Sequence, residues 1–599
     1  MTLTATGDRG RIWPLAVPDR VPLVAWCVLG VALFALIVFE FDSSRLTTSL
    51  GDTDDATRMV EVRELIAGAP WLDTTLPRFG GPYPLVSHWS RLVDAPLAAL
   101  LSAFELVLPP AEAELAVRAT WPLLVLLVFV YLLAREAGLR GGRAAALVSI
   151  PLTVTCLVGI TQFLPGRIDH HNVMIVCAVI GILRLARSFD DANAGWSAGI
   201  FLGLGTAVGY EALALTAASL GAAVVFGTLP GRSLLGPSRT AVTFAATLAI
   251  ALSLTTASDA LFASRCDALS FNLVLLSATA ALGVCTVQVF EKALSPILKI
   301  ALLAAAGLAG LALYARAEPA CLSGPFGQID PALFSIWLGS VSETQSMLSM
   351  GSELPLVGGM ALVYVLTGGY CGLRLMQTDR DAGLRFHLIA FLLALPLSFW
   401  QIKLLPYATY LPIPLLAVWL SRPPQQARAP LGKCAIAAFA LGAVALVAGA
   451  SWLLFSLAAP SAQRFKDVAA LYRSCHATAA MAPLARLPKG LAVADVNLGP
   501  YLVALTPLDA LSAPYHRLDR SIIEANRILT APAQEAERRL RAVGARYVIL
   551  CEELDPKRRE GDVSPDALQS LLFAGTPPAF LTPVPLPAPT PLKVWRVAP

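Results

Sequence analysis

The chain has 599 residues, 56% of them hydrophobic and only 14% charged, with a formal net charge of +4. Soluble domains carry roughly 25% charge, so this composition excludes an ordinary soluble enzyme, and so small a net charge offers nothing to nucleic acid. Ten cysteines without a CxxC pair exclude a disulfide scaffold and argue against a zinc site.

The N-terminal "MTLTATGDRGRIWPLAVPDR" leads into an apolar run from Val21 to about Phe41. The run is long enough to span a bilayer and no small-residue cleavage site follows, which predicts a retained helix rather than a removed signal. Next comes "GDTDDATRMVEVR", with Asp52, Asp54, Asp55 and Arg58 at a membrane boundary. "APLAALLSAFELVL" (Ala95 to Leu108) is apolar but short and ends in Pro109-Pro110. We read it as an interfacial or re-entrant helix.

Further spans are expected at about 115–134, 144–164, 172–187, 195–209, 211–228, 240–257, 268–290, 296–314, 354–375, 386–400, 404–420 and 434–459, roughly 13 in all when shorter buried helices are allowed. With the N-terminus cytoplasmic, every inner loop is basic: Arg9, Arg11 and Arg20; Arg135, Arg140 and Arg143; Arg184 and Arg187; Arg232 and Arg239; Lys292 and Lys299; Arg374, Arg380 and Arg385; Arg422, Arg428 and Lys433. That is the positive-inside pattern from end to end. It predicts a multi-pass protein of the inner (plasma) membrane. Its membrane domain covers 1–459, with outer loops at 43–114 and 315–353. An extracytoplasmic α/β domain covers 460–599, where "LAVADV" and "RYVILCEEL" read as buried strands and "PAQEAERRLRAVGA" as an amphipathic helix. Cys266, Cys321, Cys475 and Cys551 fall on the outer side, where an oxidising compartment would let them pair.

The same topology gathers the unusual polar segments on one face. Asp52, Asp54 and Asp55 are hard oxygen donors suited to Mg²⁺ or Mn²⁺. "GRIDHHN" adds Asp169, His170 and His171. Asp is also the residue of choice for a helix N-cap, and both clusters precede helices. Glu343 lies in "GSVSETQSMLSM" in the long outer loop, and Lys403 lies at an outer helix end in "FWQIKLLPYATY". An ammonium there suits a lipid-linked diphosphate or snorkels. Glu211, in "VGYEALAL", sits at a helix turn or within the membrane. In "PYHRLDR", Tyr515, His516 and Arg517 are exposed polar groups of an acceptor site or of a plain turn.

"GDTDDATR" after the first span, "GRIDHH" after the third, "SVSE" in a long outer loop and a late "IKLL" together resemble the catalytic subunit of oligosaccharyltransferases, within the C-type superfamily of membrane glycosyltransferases. The resemblance covers the chain to about residue 420. It implies a 13-helix fold with an outer C-terminal domain. Asp52 would bind the metal and activate the acceptor, and Asp169 would be a second metal ligand. His171 would be a ligand in place of a Glu, and Glu343 would complete the metal and acceptor site. Lys403, with Arg58, would stand for the diphosphate-binding Arg. Asp54, Asp55, His170 and Glu211 are secondary candidates. The implied reaction transfers a sugar or oligosaccharide from a polyprenyl-(di)phosphate donor to a protein, glycolipid or polysaccharide acceptor, assisted by a divalent cation, Mg²⁺ or Mn²⁺. The family's "WWDYG" sequon-reading motif is missing; "ADVNLGPYLVALTP", with Asp495 and Gly499, is the nearest feature. A C-type transferase moving a single sugar to lipid A, polysaccharide or Ser/Thr is therefore an alternative. A lipid-linked-sugar transporter or flippase is another, although it calls for carboxylates at mid-membrane depth and internal repeats, and no repeat is visible.

A reporter fused after Pro599 should be active only outside the cytoplasm. A cytoplasmic signal would dissolve the one-face clustering.

Overall fold

The computed structural model describes residues 21–42, 44–341, 344–346, 355–379, 381–421, 474–551 and 564–598. The predicted thirteenth span (434–459), the expected domain boundary at 460 and Glu343 lie outside them. The protein is largely helical, and among the described residues seven helices are long and apolar enough to cross a membrane. Helix α1 (Leu23–Asp42) is a first span with most of its surface exposed. Helix α2 (Thr53–Ile66) begins at the acidic cluster. After a two-stranded hairpin, β1 (Thr75–Leu76) and β2 (Leu85–Val86), helix α3 (Arg91–Glu105) forms from the short apolar segment. Its 15 residues extend only about 22 Å, short of the ~30 Å hydrocarbon thickness.

Helix α4 (Pro110–Val154) joins what the sequence divides into two spans. It doubles back at Gly142, whose φ of 72° leaves the helical region. A Cβ on Gly138 would lie 3.0 Å from Ala146 Cβ, a contact that only a hairpin of the two arms allows. The predicted span to residue 164 breaks after Val154 into the short helix Leu157–Ile160 and a 3₁₀ turn, Thr161–Phe163. Helix α5 (His171–Arg187) is buried nearly all round, as expected of a helix apolar on every face. Helices α6 (Ala194–Val208) and α7 (Leu213–Gly227) follow, then α8 (Leu235–Thr255), α9 (Phe271–Val289), α10 (Pro296–Ala317), α11 (Pro355–Thr378) and α12 (Ala382–Trp400). The last described span is two pieces, α13 (Leu405–Tyr410) and α14 (Ile413–Ser421).

Small residues bring α6 against α8. Gly195, Gly199 and Gly203 recur every fourth residue, and a Cβ on Gly199 would come within 2.3 Å of Thr240 O and 2.6 Å of Phe244 N. In lipid, where apolar contact alone gives helices no reason to associate, such close backbone approach supplies the packing energy.

The C-terminal residues form a five-stranded mixed sheet, ordered β4 (Asp509–Ala510), β3 (Leu491–Val493), β5 (Ala545–Cys551), β7 (Leu592–Val597), β6 (Leu581–Pro583). Strands β3–β5 are parallel and β5–β7–β6 antiparallel. Helices α15 (Gly499–Leu505), α16 (Asp519–Thr530), α17 (Ala533–Ala542) and α18 (Leu568–Phe573) pack with it. This body shares a core with the first polar loop. Leu50, Val60, Phe79 and Trp89 pack with Tyr501, Leu502, Tyr515 and Ile549. Arg78 donates to the carbonyls of Val503, Thr506 and Leu508 and pairs with Asp509. Cys266–Cys321 and Cys475–Cys551 are disulfides, and Cys27, Cys156, Cys177, Cys285 and Cys371, on or beside the predicted spans, are free.

Arg58 corrects the sequence reading. It is fully buried rather than presented to a donor. Its guanidinium pairs with Asp94 of α3 and, at 2.9 Å, with Glu61 one turn on, and lies 4.4 Å from the Trp89 ring centre. Burial and the Asp94 charge push the Glu61 carboxyl up to about 8, and Asp94 also pairs with buried Arg91 at 3.2 Å. Arg58→Met leaves Asp94 without the Arg58 guanidinium, and breaking a buried pair costs about 3–5 kcal/mol. The expected result is loss of folded protein on size-exclusion chromatography and a lower unfolding temperature. A folded variant with only weaker donor binding would contradict this.

Candidate active site

The functional residues lie where α2 meets the turn before α5. Asp52 is the N-cap of α2: its Oδ1 accepts the Asp54 and Asp55 amides at 3.0 Å, and Asp55 reciprocates by accepting the Asp52 amide. Gly51 makes this tight entry possible, with φ +93°; a Cβ there would strike Asp55 Oδ2 at 2.3 Å. The helix-capping alternative for this acidic cluster is therefore real, but capping uses only part of it.

Asp55 is fully buried and holds the second motif. Its Oδ1 accepts the amides of Ile168 (2.8 Å) and Asp169 (3.1 Å), and its Oδ2 accepts from Arg167 at 2.9 Å. Arg167 also contacts Asp52 and Gln162. Asp55 is thus a positioning residue rather than a ligand facing the cavity. Arg167, quoted within "GRIDHH" but given no role by the sequence, is the cation that lets these carboxylates share one place. Its signal was its position beside an Asp motif.

Asp52 differs: 45% of its side chain is exposed, and it lines a cavity of about 670 Å³. Thr53, Asp54, Trp89, His170, His171, Glu211, Lys403, Tyr515 and His516 line the same cavity. Glu211 lies at the turn between α6 and α7. Lys403 sits on the 3₁₀ turn Ile402–Leu404, whose Ile402 amide donates to Gln345 O of the long loop at 3.0 Å. Ser340, Val341 and Thr344 of that loop also line the cavity.

Asp169 is buried against the two histidines. Its Oδ1 accepts the His170 amide at 2.6 Å and contacts the His170 ring. Its Oδ2 lies 3.2 Å from His171 Nε2 and has no hydrogen-bond partner. Burial works against ionisation, but His170 and His171 hold the Asp169 carboxyl well below its usual range. His170 is flanked by Asp169 and, at 3.2 Å, by Glu211; against the effect of burial these carboxylates push it up to about 10. Asp169, His170 and His171 offer ligand atoms that lie within 4.8 Å of one another, a group that fits a cation.

A second group, His88, Asp267 and His516, meets the same distance, but Arg517 already takes both Asp267 oxygens at 2.6 and 2.8 Å. We read it as an ion-pair clasp between the loop after α8 and the C-terminal body. Tyr515 is buried rather than exposed; its hydroxyl donates to the Thr53 carbonyl at 3.0 Å and lies 2.7 Å from the Thr57 hydroxyl. The sequence marked His516 and Arg517 only weakly and missed His88, Trp89 and Asp267, because no spacing links residues from three separate segments.

Burial, with His516 and Arg517 nearby, drives His88 well below its ordinary value, against the opposing Asp267 charge. A histidine depressed in the folded state contributes full stability above its unfolded pKa of about 6.5 and loses it as pH falls below that. Acidification below about 6.5 should therefore raise hydrogen exchange at residues 514–518, and His88→Gln should flatten that response. An unchanged profile in the variant would remove His88 from the clasp.

No protein-family model matches the chain, and no curated protein matches it by sequence. Solved structures do match. The oligosaccharyltransferase AglB of the archaeon Archaeoglobus fulgidus, in complex with an inhibitory peptide and a dolichol-phosphate, superposes with a TM-score of 0.62 at 15% identity, covering 88% of this chain and 70% of that one. The same organism's enzyme tethered to an acceptor peptide containing the NVT sequon gives 0.59 at 16% identity, with 92% and 72% covered. Its complex with Zn and sulfate gives 0.55 at 15%, with 88% and 68% covered. The chain thus has the fold of the C-type membrane glycosyltransferases, in the form built by the archaeal oligosaccharyltransferase.

Proposed function

We propose that this protein transfers a sugar or oligosaccharide from a polyprenyl-phosphate or -diphosphate donor to an acceptor at the outer face of the inner membrane. In this reading it has 13 spans, a cytoplasmic N-terminus and an extracytoplasmic α/β domain over 460–599. One observation carries the reading. The 670 Å³ cavity is lined by residues 52–54, 88–89 and 170–171, by residues at the turn that carries Glu211, by 266–269, by Tyr314, Phe326, Trp337, Ser340, Val341 and Thr344, by Trp400, Gln401 and Lys403, and by Asn497 and 514–516. These come from the segments, and the helix ends beside them, that loop charge assigns to the outer face. Both disulfides belong to that side too, which fits an oxidising compartment. The related fold binds dolichol-phosphate in one structure and an acceptor peptide in another, which supports a lipid-linked donor and a separate acceptor.

The residues divide the work. Lys403 offers its ammonium to the donor phosphate. Half-exposed Asp52 orients or deprotonates the acceptor nucleophile. Asp169 and His171, with Asp52 and Glu343, would hold a divalent cation; the buried, unpartnered Asp169 Oδ2 beside an imidazole nitrogen fits Mg²⁺ or Mn²⁺. Such an ion supplies positive charge to a leaving phosphate. Arg58 is not part of this set. His170 and Glu211 form a charge pair that fixes the wall between Asp169 and Lys403.

A single-sugar transfer to a glycolipid, polysaccharide or Ser/Thr is the second reading. It is favoured because the segment nearest the missing sequon reader puts Asn497, and no tryptophan, on the cavity wall. Comparing glycans and glycolipids of strains with and without the protein separates the two.

Asp52→Asn and Asp169→Asn should each reduce transfer roughly 100-fold or more with folding intact, and Glu343→Gln roughly 10-fold. Initial rates with a lipid-linked donor, beside a donor-binding assay, measure this. Full activity of both Asp variants in chelator-treated membranes would sink the assignment.

A further inference from the structure

The end of the bundle opposite the cavity carries a second polar cleft, of about 210 Å³. It is lined by Arg135 of the first α4 arm, Arg184 and Arg187 at the end of α5, and Leu139, Asp191 and Asn193 around them. Helix α5 begins at the cavity with His171 and ends here. Its 17 residues place the two sites about 25 Å apart, close to the hydrocarbon thickness of ~30 Å. The cleft is therefore at the opposite membrane interface, on the side that the basic loops assign to the cytoplasm.

Its charges do not balance. Arg184 pairs with Glu136 at 2.6 Å. Asp191 accepts the Asn193 amide at 3.1 Å. Of the residues that line the cleft, three are arginines and one, Asp191, is acidic; Glu136 lies off the wall beside Arg184. Arg187 lines the cleft, and its buried Nη1 has no hydrogen-bond partner. A buried donor left unpaired costs about 1–3 kcal/mol, and more when charged, so such an atom calls for a ligand. The negative end of α5 offsets part of the charge but offers Nη1 no acceptor.

We propose that this cleft binds the phosphodiester headgroup of an anionic membrane lipid. A phosphodiester supplies negative charge to a wall dominated by arginines, and guanidinium groups match phosphate oxygens in pairs. Exposed Leu139 on the rim gives the acyl chains an apolar start. Basic pockets between spanning helices on the cytoplasmic side are the sequence-readable sites of such lipids. The site is independent of the transfer chemistry at the other end.

The full-length protein in detergent, titrated with phosphatidylglycerol or phosphatidylcholine and read by native mass spectrometry, tests this. The wild type should retain phosphatidylglycerol in preference. Arg187→Gln and Arg135→Gln should each weaken that binding roughly 10-fold, the loss of one charge-assisted hydrogen bond. Arg374→Gln, an exposed arginine outside the cleft, should leave it unchanged. If Arg187→Gln does not fold, Arg135→Gln, altering an exposed side chain, decides alone. Equal phosphatidylglycerol binding by wild type and cleft variants overturns the proposal. Full displacement of the lipid by millimolar inorganic phosphate overturns the lipid assignment in favour of a free anion.

Discussion

The arrangement of the candidate site depends on one buried acidic side chain. Asp55 accepts from the Asp52, Ile168 and Asp169 amides and from Arg167. A lone carboxylate taken out of water is costly enough to unfold its surroundings. Four donors make it a tie instead. It joins the start of α2 to the turn before α5, more than a hundred residues further along, and so brings Asp52 and Asp169 to one place. Both carry negative charge and would repel each other there; Arg167, against both motifs, offsets that repulsion.

The rest of the fold makes this tie rigid. Helix α5 is buried nearly all round, so the turn carrying Asp169, His170 and His171 rests on an element with little freedom to shift. The glycine stripe locks α6 against α8, fixing the turn that holds Glu211. On the opposite wall the C-terminal body closes over the first polar loop through a shared apolar core and through Arg78. Tyr501 and Tyr515 donate to the carbonyls of Gly51 and Thr53, so the C-terminal residues brace the very turn that presents Asp52. A site of fixed charges needs such pre-organisation, because dipoles already in place cost nothing to reorient during reaction.

The bundle is consequently polar at both ends in different ways. The cavity sets carboxylates beside imidazoles and one lysine, groups that can gain or release protons. The other end sets arginines against fewer acids, which suits the holding of a permanent anion. One helix, α5, carries both, with "GRIDHH" before its first turn and Arg184 and Arg187 in its last.

What the sequence determined by itself follows from short-range regularities. Runs of about twenty apolar residues, basic loops and polar clusters at helix ends are local properties of a chain in a bilayer. From them came the membrane class, most of the described helices, the four cysteines able to pair and the two Asp motifs. "SVSE" pointed to a loop whose Ser340 and Val341, with the next residue described, Thr344, line the cavity. Only the tertiary structure decided which charged residues face the cavity and which are spent inside. Arg58 and Asp55 stand in the same acidic stretch as Asp52, and nothing in their spacing says that one pairs with Asp94 while the other caps a turn 113 residues away. Ala95 to Leu108 and the α4 hairpin were likewise settled by where the chain turns. The His88–Asp267–Arg517 clasp joins three segments with no periodicity between them. Burial and pairing depend on partners distant in sequence, and a sequence read residue by residue holds their chemistry but not their distances.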